Sequence, residues 1–150
     1  RLCALVSTDH PLARKHRLEW RDLQAQRWVA PLRATVVRQA FISAFANLGL
    51  QAPRPVVEVT SPVTLRSILM GAPNLTGIVR YENGRRAAQE AGLRLIEIEP
   101  VVELSPLCYF TRKGGPSPLG IVQIFREELL RAAGASSSSL KKSRPRSAKV

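Results

Sequence analysis

Short apolar segments alternate with amphipathic ones along most of the chain, and no other feature of the sequence constrains its fold as strongly. Six segments are predicted strands because they are short, apolar and rich in β-branched residues. They are residues 2–7, 27–31, 55–60, 75–81, 93–99 and 107–112. Helical patterns lie between them. This alternation predicts an α/β fold with a mostly parallel sheet flanked by helices.

Helical periodicity and capping residues predict helices over residues 35–48, 62–70, 83–92 and from Ser117 onward, with a short helical turn at 18–24. Two of these helices carry an apolar stripe that is expected to be buried. In the first helix the stripe is Val37, Phe41, Ala44, Phe45 and Leu48. In the last helix it is Ile121, Val122, Phe125, Leu129 and Ala132.

The net charge of +12 is unevenly placed. Five of the 23 basic residues and none of the 11 acidic residues lie in residues 134–150, after a run of serines. Such a segment has too few apolar residues to form a core, so residues 134–150 are predicted to be a disordered basic tail. The tail is interpreted as a solvated extension, with loose electrostatic contact to nucleic acid as the alternative.

No segment approaches the roughly 18 consecutive apolar residues of a membrane span, and no secretion signal is visible. A cytoplasmic protein without membrane association is therefore expected. Cys3 and Cys108 both lie in predicted strands and are expected to be buried, reduced thiols. With His10 and His16 as the only histidines, neither a metal nor a cofactor is expected.

Motifs of catalysis are missing from the sequence. There is no Gly-x-Ser-x-Gly elbow, phosphate-binding loop or zinc signature, so an enzyme is not expected. His10 precedes Pro11, which restricts the backbone before it and favours a structural role for His10 at a chain corner, with Asp9 as a candidate cap. A nucleophilic pair of Cys108 with His10 is the alternative, disfavoured because Cys108 lies in an apolar strand.

Ligands of open α/β sheets bind beyond the carboxyl ends of the strands. In this chain those ends are Pro31-Leu32-Arg33, Thr60-Ser61 and Val79-Arg80.

Six segments, in order, resemble the C-terminal part of the effector-binding domain of LysR-type transcriptional regulators. They are "ALVSTDHPLA" (4–13), "LEWRDLQAQRWVAP" (18–31), "VVRQAFISAFANLGL" (36–50), "VVEVTSPVTLRSIL" (56–69), "NLTGIVRYENGRRAAQEAGLRLIEI" (74–98) and "LCYFTRKGGPSPLGIVQIFREELL" (107–130). The resemblance covers roughly residues 2–133 and includes the His-Pro-Leu-Ala corner at His10.

The resemblance implies a periplasmic-binding-protein-like (type 2) fold that holds a small-molecule effector between two lobes. It implies that residues 1–106 form the second lobe with its crossover strands, and that residues 107–133 return to the first lobe as a strand and terminal helix. The chain is then N-terminally truncated, lacking the DNA-binding winged helix-turn-helix and most of the first lobe. Dimers or tetramers and DNA binding through the absent domain are further implications.

The resemblance also implies where the effector binds. The loop after the Pro-ended strand is the first candidate: Pro31, Leu32, Arg33, Ala34 and Thr35. The capped helix start at Thr60 and Ser61 and the inner strand at Gly77, Ile78 and Val79 are second candidates. Arg33 could pair with a carboxylate effector, or it could be an exposed loop residue. Two other functions remain as alternatives: a solute-binding protein of the same fold, and a nucleic-acid-binding module acting through the tail.

A lobe without its partner is expected to leave apolar surface uncovered. Phe125 and Leu129 of the last helix would then be exposed or would contact another chain. The chain alone is therefore predicted to be oligomeric or poorly stable.

Overall fold

The computed structural model describes residues 1–90, 92–105 and 120–132, without the side chain of residue 121. The chain divides into two compact units, Arg1–Pro106 and Leu107–Val150. The first unit contains six strands: β1 (Leu2–Ser7), β2 (Arg17–Glu19), β3 (Trp28–Pro31), β4 (Val57–Val59), β5 (Thr76–Arg80) and β6 (Leu93–Glu99). Its helices are α1 (Val36–Ala46), α2 (Pro62–Gly71) and α3 (Tyr81–Ala87). The described part of the second unit is α4 (Gly120–Ala132).

The six strands form one sheet in the order β2-β6-β1-β5-β3-β4. Three neighbouring pairs are parallel: β2 with β6, β3 with β4, and β3 with β5. The central strand β1 is antiparallel to both of its neighbours, β5 and β6. The sheet is therefore mixed, and parallel pairing is concentrated on the side that contains β3, β4 and β5. The predicted α/β fold is confirmed.

All six residues of β1 are buried, because helices cover both faces of the sheet. Side chains alternate between the two faces of a strand, so β1 contributes to two separate cores. Leu2, Ala4 and Val6 pack on the face of α1, and Cys3 and Leu5 pack on the face of α2. Two modest cores that share one central strand thus hold the unit together.

Four aromatic rings dominate the core on the α1 face. Trp28 lies 4.8 Å from Phe41, Phe41 lies 5.1 Å from Phe45, and Phe45 lies 5.4 Å from Trp20, each pair edge-to-face. All four side chains are fully buried. The two indole N–H groups donate to main-chain oxygens, Trp20 to Pro100 at 2.9 Å and Trp28 to Leu23 at 3.1 Å. The cluster therefore buries large rings without leaving their polar atoms unpaired.

His10 begins a short 3-10 turn (Pro11–Arg14) and is buried. Its Nδ1 accepts the Leu12 N–H at 3.0 Å, so the neutral ring carries its proton on Nε2, which lies 3.3 Å from the Thr76 hydroxyl. Burial lowers the pKa of His10 below its ordinary value of 6.5. The structural role predicted for His10 agrees with this geometry, although His10 itself, and not Asp9, provides the cap.

Several predicted elements differ from the structure. Residues 17–19 form the edge strand β2, in which only Leu18 is buried, and the later part of the helical turn predicted at 18–24 is a hydrogen-bonded turn that begins at Trp20. The helix predicted from Asn83 begins one half-turn earlier, at Tyr81. The strand predicted at 107–112, Cys108, the helix start at Ser117 and the tail lie outside the described residues. Cys3 is a buried free thiol, and burial raises its pKa to about 11.

The burial predicted for the apolar stripe of the last helix is wrong, whereas the exposure predicted for Phe125 and Leu129 agrees with the structure. Val122, Phe125, Leu129 and Ala132 of α4 are all exposed, Phe125 by 60%. An apolar stripe indicates which face of a helix can be buried, but another surface must cover that face before burial occurs. Within the described residues, no helix is both long and apolar enough to cross a membrane.

We expect Phe41→Ala to lower the free energy of unfolding by about 3–5 kcal/mol, because it leaves a cavity among Trp20, Trp28 and Phe45. Val36→Ala, at an exposed position of the same helix, should change it by less than about 0.5 kcal/mol. Urea denaturation followed by tryptophan fluorescence measures both. If the two variants lowered the free energy of unfolding equally, the aromatic cluster would not be the main packing contact of α1.

We expect His10 to make folding stability depend on pH. In the unfolded chain His10 takes up a proton as the pH falls below about 6.5, whereas the folded protein resists protonation until a lower pH. The stability that neutral His10 contributes is therefore fully present above about pH 6.5, and it is lost as the pH falls from there through the lower pKa of the folded protein. His10→Asn retains a capping side chain but does not titrate, so it should show less loss of stability between neutral and mildly acidic pH. His16→Asn, at an exposed position, should behave as the wild type in the same denaturation series.

Candidate ligand-binding site

An open cavity of about 170 Å³ lies where β3, β4 and β5 end. These three strands are parallel, so their carboxyl ends meet at one edge of the sheet. We call it the strand-end cavity. Its lining residues come from these strand ends and from the helices that follow them: Pro31, Thr35, Val37, Val59, Thr60, Ser61, Pro62, Leu65, Ile78, Val79, Arg80 and Asn83.

Each of the three strands is followed by a helix whose first turn reaches the cavity. Thr35 caps α1: its hydroxyl accepts the Arg38 N–H at 3.3 Å and donates to the Leu32 carbonyl at 2.8 Å. Ser61 caps α2 by accepting the Val63 N–H at 3.2 Å. Both capping residues have extended backbones and so direct the helices away from the strand ends. The cavity therefore lies at the N-terminal ends of helices.

The electrostatic character of the strand-end cavity is positive. Helix N-termini carry a partial positive charge and unpaired N–H groups. Arg80 adds a full charge, and both terminal nitrogens of its guanidinium lie 3.4 Å from the Ser105 carbonyl. Among the described residues that line the cavity, none is acidic. The site is suited to an anionic group.

The remaining lining is apolar. Val59, Leu65, Ile78 and Val79 are buried side chains of the sheet and of α2. Ile78 belongs to the core on the α1 face, and the other three belong to the core on the α2 face. The cavity thus combines an apolar wall with hydroxyl, amide and guanidinium groups at its rim, which is the usual character of small-molecule sites.

Six of the ten residues predicted from the sequence line this cavity: Pro31, Thr35, Thr60, Ser61, Ile78 and Val79. Leu32, Arg33 and Ala34 are exposed and lie outside its lining. Gly77 also lies outside it, beneath α2. A Cβ at Gly77 would come within 2.8 Å of Leu69 Cδ1 and 2.9 Å of Leu65 Cδ2, so the glycine allows α2 to pack closely on β5.

Arg33 instead lines a second cavity, of about 310 Å³, which we call the arginine cavity. Its other lining residues are Arg38, Ile42, Gln51, Ala52, Pro53 and Arg54. The loop that contains Arg33 therefore places its two ends, Pro31 and Thr35, in one cavity and its central arginine in another.

Sequence reasoning missed six lining residues of the strand-end cavity: Val37, Val59, Pro62, Leu65, Arg80 and Asn83. Arg80 was identifiable as a strand end but was not selected as a binding residue. Asn83 was placed at a helix start, whereas it lies in the first turn of α3, directed at the cavity. The signal that could have found both residues is the rule that ligands meet the first turn after a parallel strand.

Within the described residues, no group of three or more His, Cys, Asp or Glu side chains could hold a metal ion. His10 and Cys3 lie in the core, away from the lining of both cavities. Among the described residues, the lining of both cavities provides hydrogen-bond donors, arginines and apolar side chains.

The amino-acid sequence is similar to those of known transcriptional regulators. The family described as the LysR substrate binding domain matches residues 1–134. The HTH-type transcriptional regulator GalR of Pseudomonas putida is 31% identical over 81 residues, which cover 54% of this chain and 20% of GalR.

The solved structures that share the fold include two complexes with small molecules. One is the regulatory domain of CcmR from Synechocystis PCC6803 in complex with 2-PG (TM-score 0.63, 17% identity, 87% of this chain and 62% of that one). The other is the effector binding domain of QuiR in complex with shikimate (TM-score 0.63, 16% identity, 89% of this chain and 61% of that one). The chain spans a fifth of the length of GalR and less than two thirds of either solved domain. The family match extends over most of the chain, and this chain belongs to the LysR substrate binding domain family.

Proposed function

We propose that this chain is effector-sensing and that the strand-end cavity binds a small organic anion, such as a carboxylate. The observation that supports the proposal most directly is the meeting of the capped helix starts at Thr35 and Ser61 with Arg80 around an apolar wall. The complexes of CcmR with 2-PG and of QuiR with shikimate support it further, because both domains share this fold.

The binding groups suggest how a carboxylate would be recognised. Backbone N–H groups at the start of α1 and the Thr60 and Asn83 side chains offer neutral hydrogen bonds. Arg80 offers a charge-assisted pair, which contributes about 1.5–3 kcal/mol when well formed. The carbon skeleton of the ligand would pack on Ile78 and Val79. Binding rather than catalysis is the function that these groups support.

A regulator of this family would use that binding to change its affinity for DNA. An effector shifts a conformational equilibrium only by the difference between its affinities for the two states. A winged helix-turn-helix domain outside residues 1–134 would contact the DNA. Self-association as a dimer or tetramer would transmit the conformational change to that domain. A cytoplasmic location is consistent with contact to DNA. The family match favours a regulator over a solute-binding protein of the same fold.

The test is an NMR titration of the amide groups with a panel of small carboxylates that includes shikimate. We expect a binding compound to shift the resonances of Thr60, Arg80 and Asn83, which lie around the cavity. Arg80→Met should weaken that binding about tenfold or more, because it removes the only full charge among the described lining residues. Thr60→Val, which retains the shape and removes the hydroxyl, should weaken it less.

Arg33→Met is the matched control for Arg80→Met. It removes the same charge from a residue that lies outside the strand-end cavity, so it should leave these shifts and the affinity unchanged. The proposal fails if the compounds that bind leave the resonances of Thr60 and Asn83 unchanged. It also fails if Arg33→Met weakens binding as much as Arg80→Met does.

A further inference from the structure

Arg38 carries a buried charge whose hydrogen-bond donors are incompletely paired. It lies in α1 with only 6% of its surface exposed, and its Nε and Nη1 atoms have no hydrogen-bond partner among the described residues. The guanidinium stays charged at physiological pH and offers five donors. Buried donors are almost always paired, so an unpaired buried cation requires an explanation.

The nearest acid does not supply a full partner. Glu58 Oε1 is 4.0 Å from Arg38 Nη1, beyond hydrogen-bond distance, and the Glu58 side chain is 43% exposed. The Phe41 ring below the guanidinium, 5.6 Å from its central carbon, gives only a cation–π contact. Burial lowers the pKa of Arg38, Glu58 raises it and the neighbouring charge of Arg33 lowers it again.

Arg38 forms part of the wall of the arginine cavity. Arg33 and Arg54, both exposed, line the same cavity, with Ile42 and Pro53 as apolar neighbours. None of the described residues that line it is acidic. The Gln39 side chain donates to the Arg33 carbonyl at 2.7 Å and so fixes the loop that holds Arg33. Three like charges therefore converge on a space large enough for a small molecule, with the buried one at its base.

We propose that the arginine cavity is a second binding site, specific for an oxyanion with two or more negative charges, such as a phosphate group or a dicarboxylate. Arg38 is its central binding residue, and Arg33 and Arg54 close over the ligand from the rim. Arg38 lines the cavity together with Arg33 and Arg54, and the planar donors of these guanidinium groups match the geometry of an oxyanion. The site is separate from the strand-end cavity and does not depend on the function proposed for that cavity.

The test uses the full chain, titrated at constant ionic strength with inorganic phosphate and, separately, with succinate, against chloride as the baseline. We expect one or both anions to shift the amide resonances of Ala52 and Arg54 and to raise the melting temperature by linkage. Phosphate binding without succinate binding identifies a phosphoryl ligand, and the reverse identifies a dicarboxylate. Either result supports the site.

Arg38→Met is the central variant because it keeps much of the side-chain volume and removes the charge. It should weaken anion binding about tenfold or more and abolish the anion-dependent rise in melting temperature. Without added anion its melting temperature should equal or exceed that of the wild type. The substitution removes a buried charge that has no close partner and whose desolvation lowers the stability of the wild type. A purely structural Arg38 would instead lower the melting temperature in every buffer.

The rim variants keep the proposal testable if Arg38→Met does not fold. Arg54→Ala and Arg33→Ala should each weaken binding several-fold, whereas Arg14→Ala, which removes an exposed arginine outside both cavities, should not. Three results would overturn the proposal. They are no shift beyond that of chloride, equal losses in Arg14→Ala and Arg54→Ala, and shifts confined to Thr60 and Asn83. The first would mean that only water pairs with Arg38.

Discussion

The burial of β1 on both faces is the constraint on which the rest of the first unit depends. Its alternate side chains enter two different cores, one under α1 and one under α2, so both helices are positioned relative to the same strand. β1 also pairs with β5 and β6, and thereby joins the two halves of the sheet. A change in β1 would disturb both cores at once, whereas a change in either helix would disturb one.

Strand direction determines where ligands can bind. Because β3, β4 and β5 are parallel, their carboxyl ends and the helices that follow lie at one edge. The turns between them are short, so the capping residues Thr35 and Ser61 lie close to the sheet. The positive ends of helices are thus collected in one place by topology alone. Arg80 reinforces the effect, and the same topology would favour an anion even if the individual lining residues changed.

Much of this architecture was predictable from the sequence. The positions of β1, β3, β4, β5 and β6 and of α1 and α2 follow from apolar runs, helical periodicity and capping residues. The antiparallel setting of β1 was not predictable, because a strand buried on both faces shows the same continuous apolar run in either direction. The edge strand β2 was missed because three residues with one buried side chain carry almost no pattern.

The candidate site was predictable where it follows strand ends and not where it depends on side-chain direction. Pro31, Thr60, Ser61 and Val79 were found from the rule for strand ends, and they line one cavity. The family resemblance predicts Arg33 in the same site, as part of the loop after the Pro-ended strand, yet Arg33 lines the arginine cavity. Sequence position does not fix the face of a loop to which a side chain turns.

The helix α1 is the element that the two cavities share. Thr35 and Val37 at its start line the strand-end cavity, while Arg38 and Ile42 line the arginine cavity. Phe41 and Phe45, on the buried side of the helix, hold it in the aromatic core against Trp20 and Trp28. Because such cores are close-packed, α1 cannot shift by a fraction of a turn without separating those rings. The same packing that stabilises the fold therefore also fixes the side of each cavity that α1 forms.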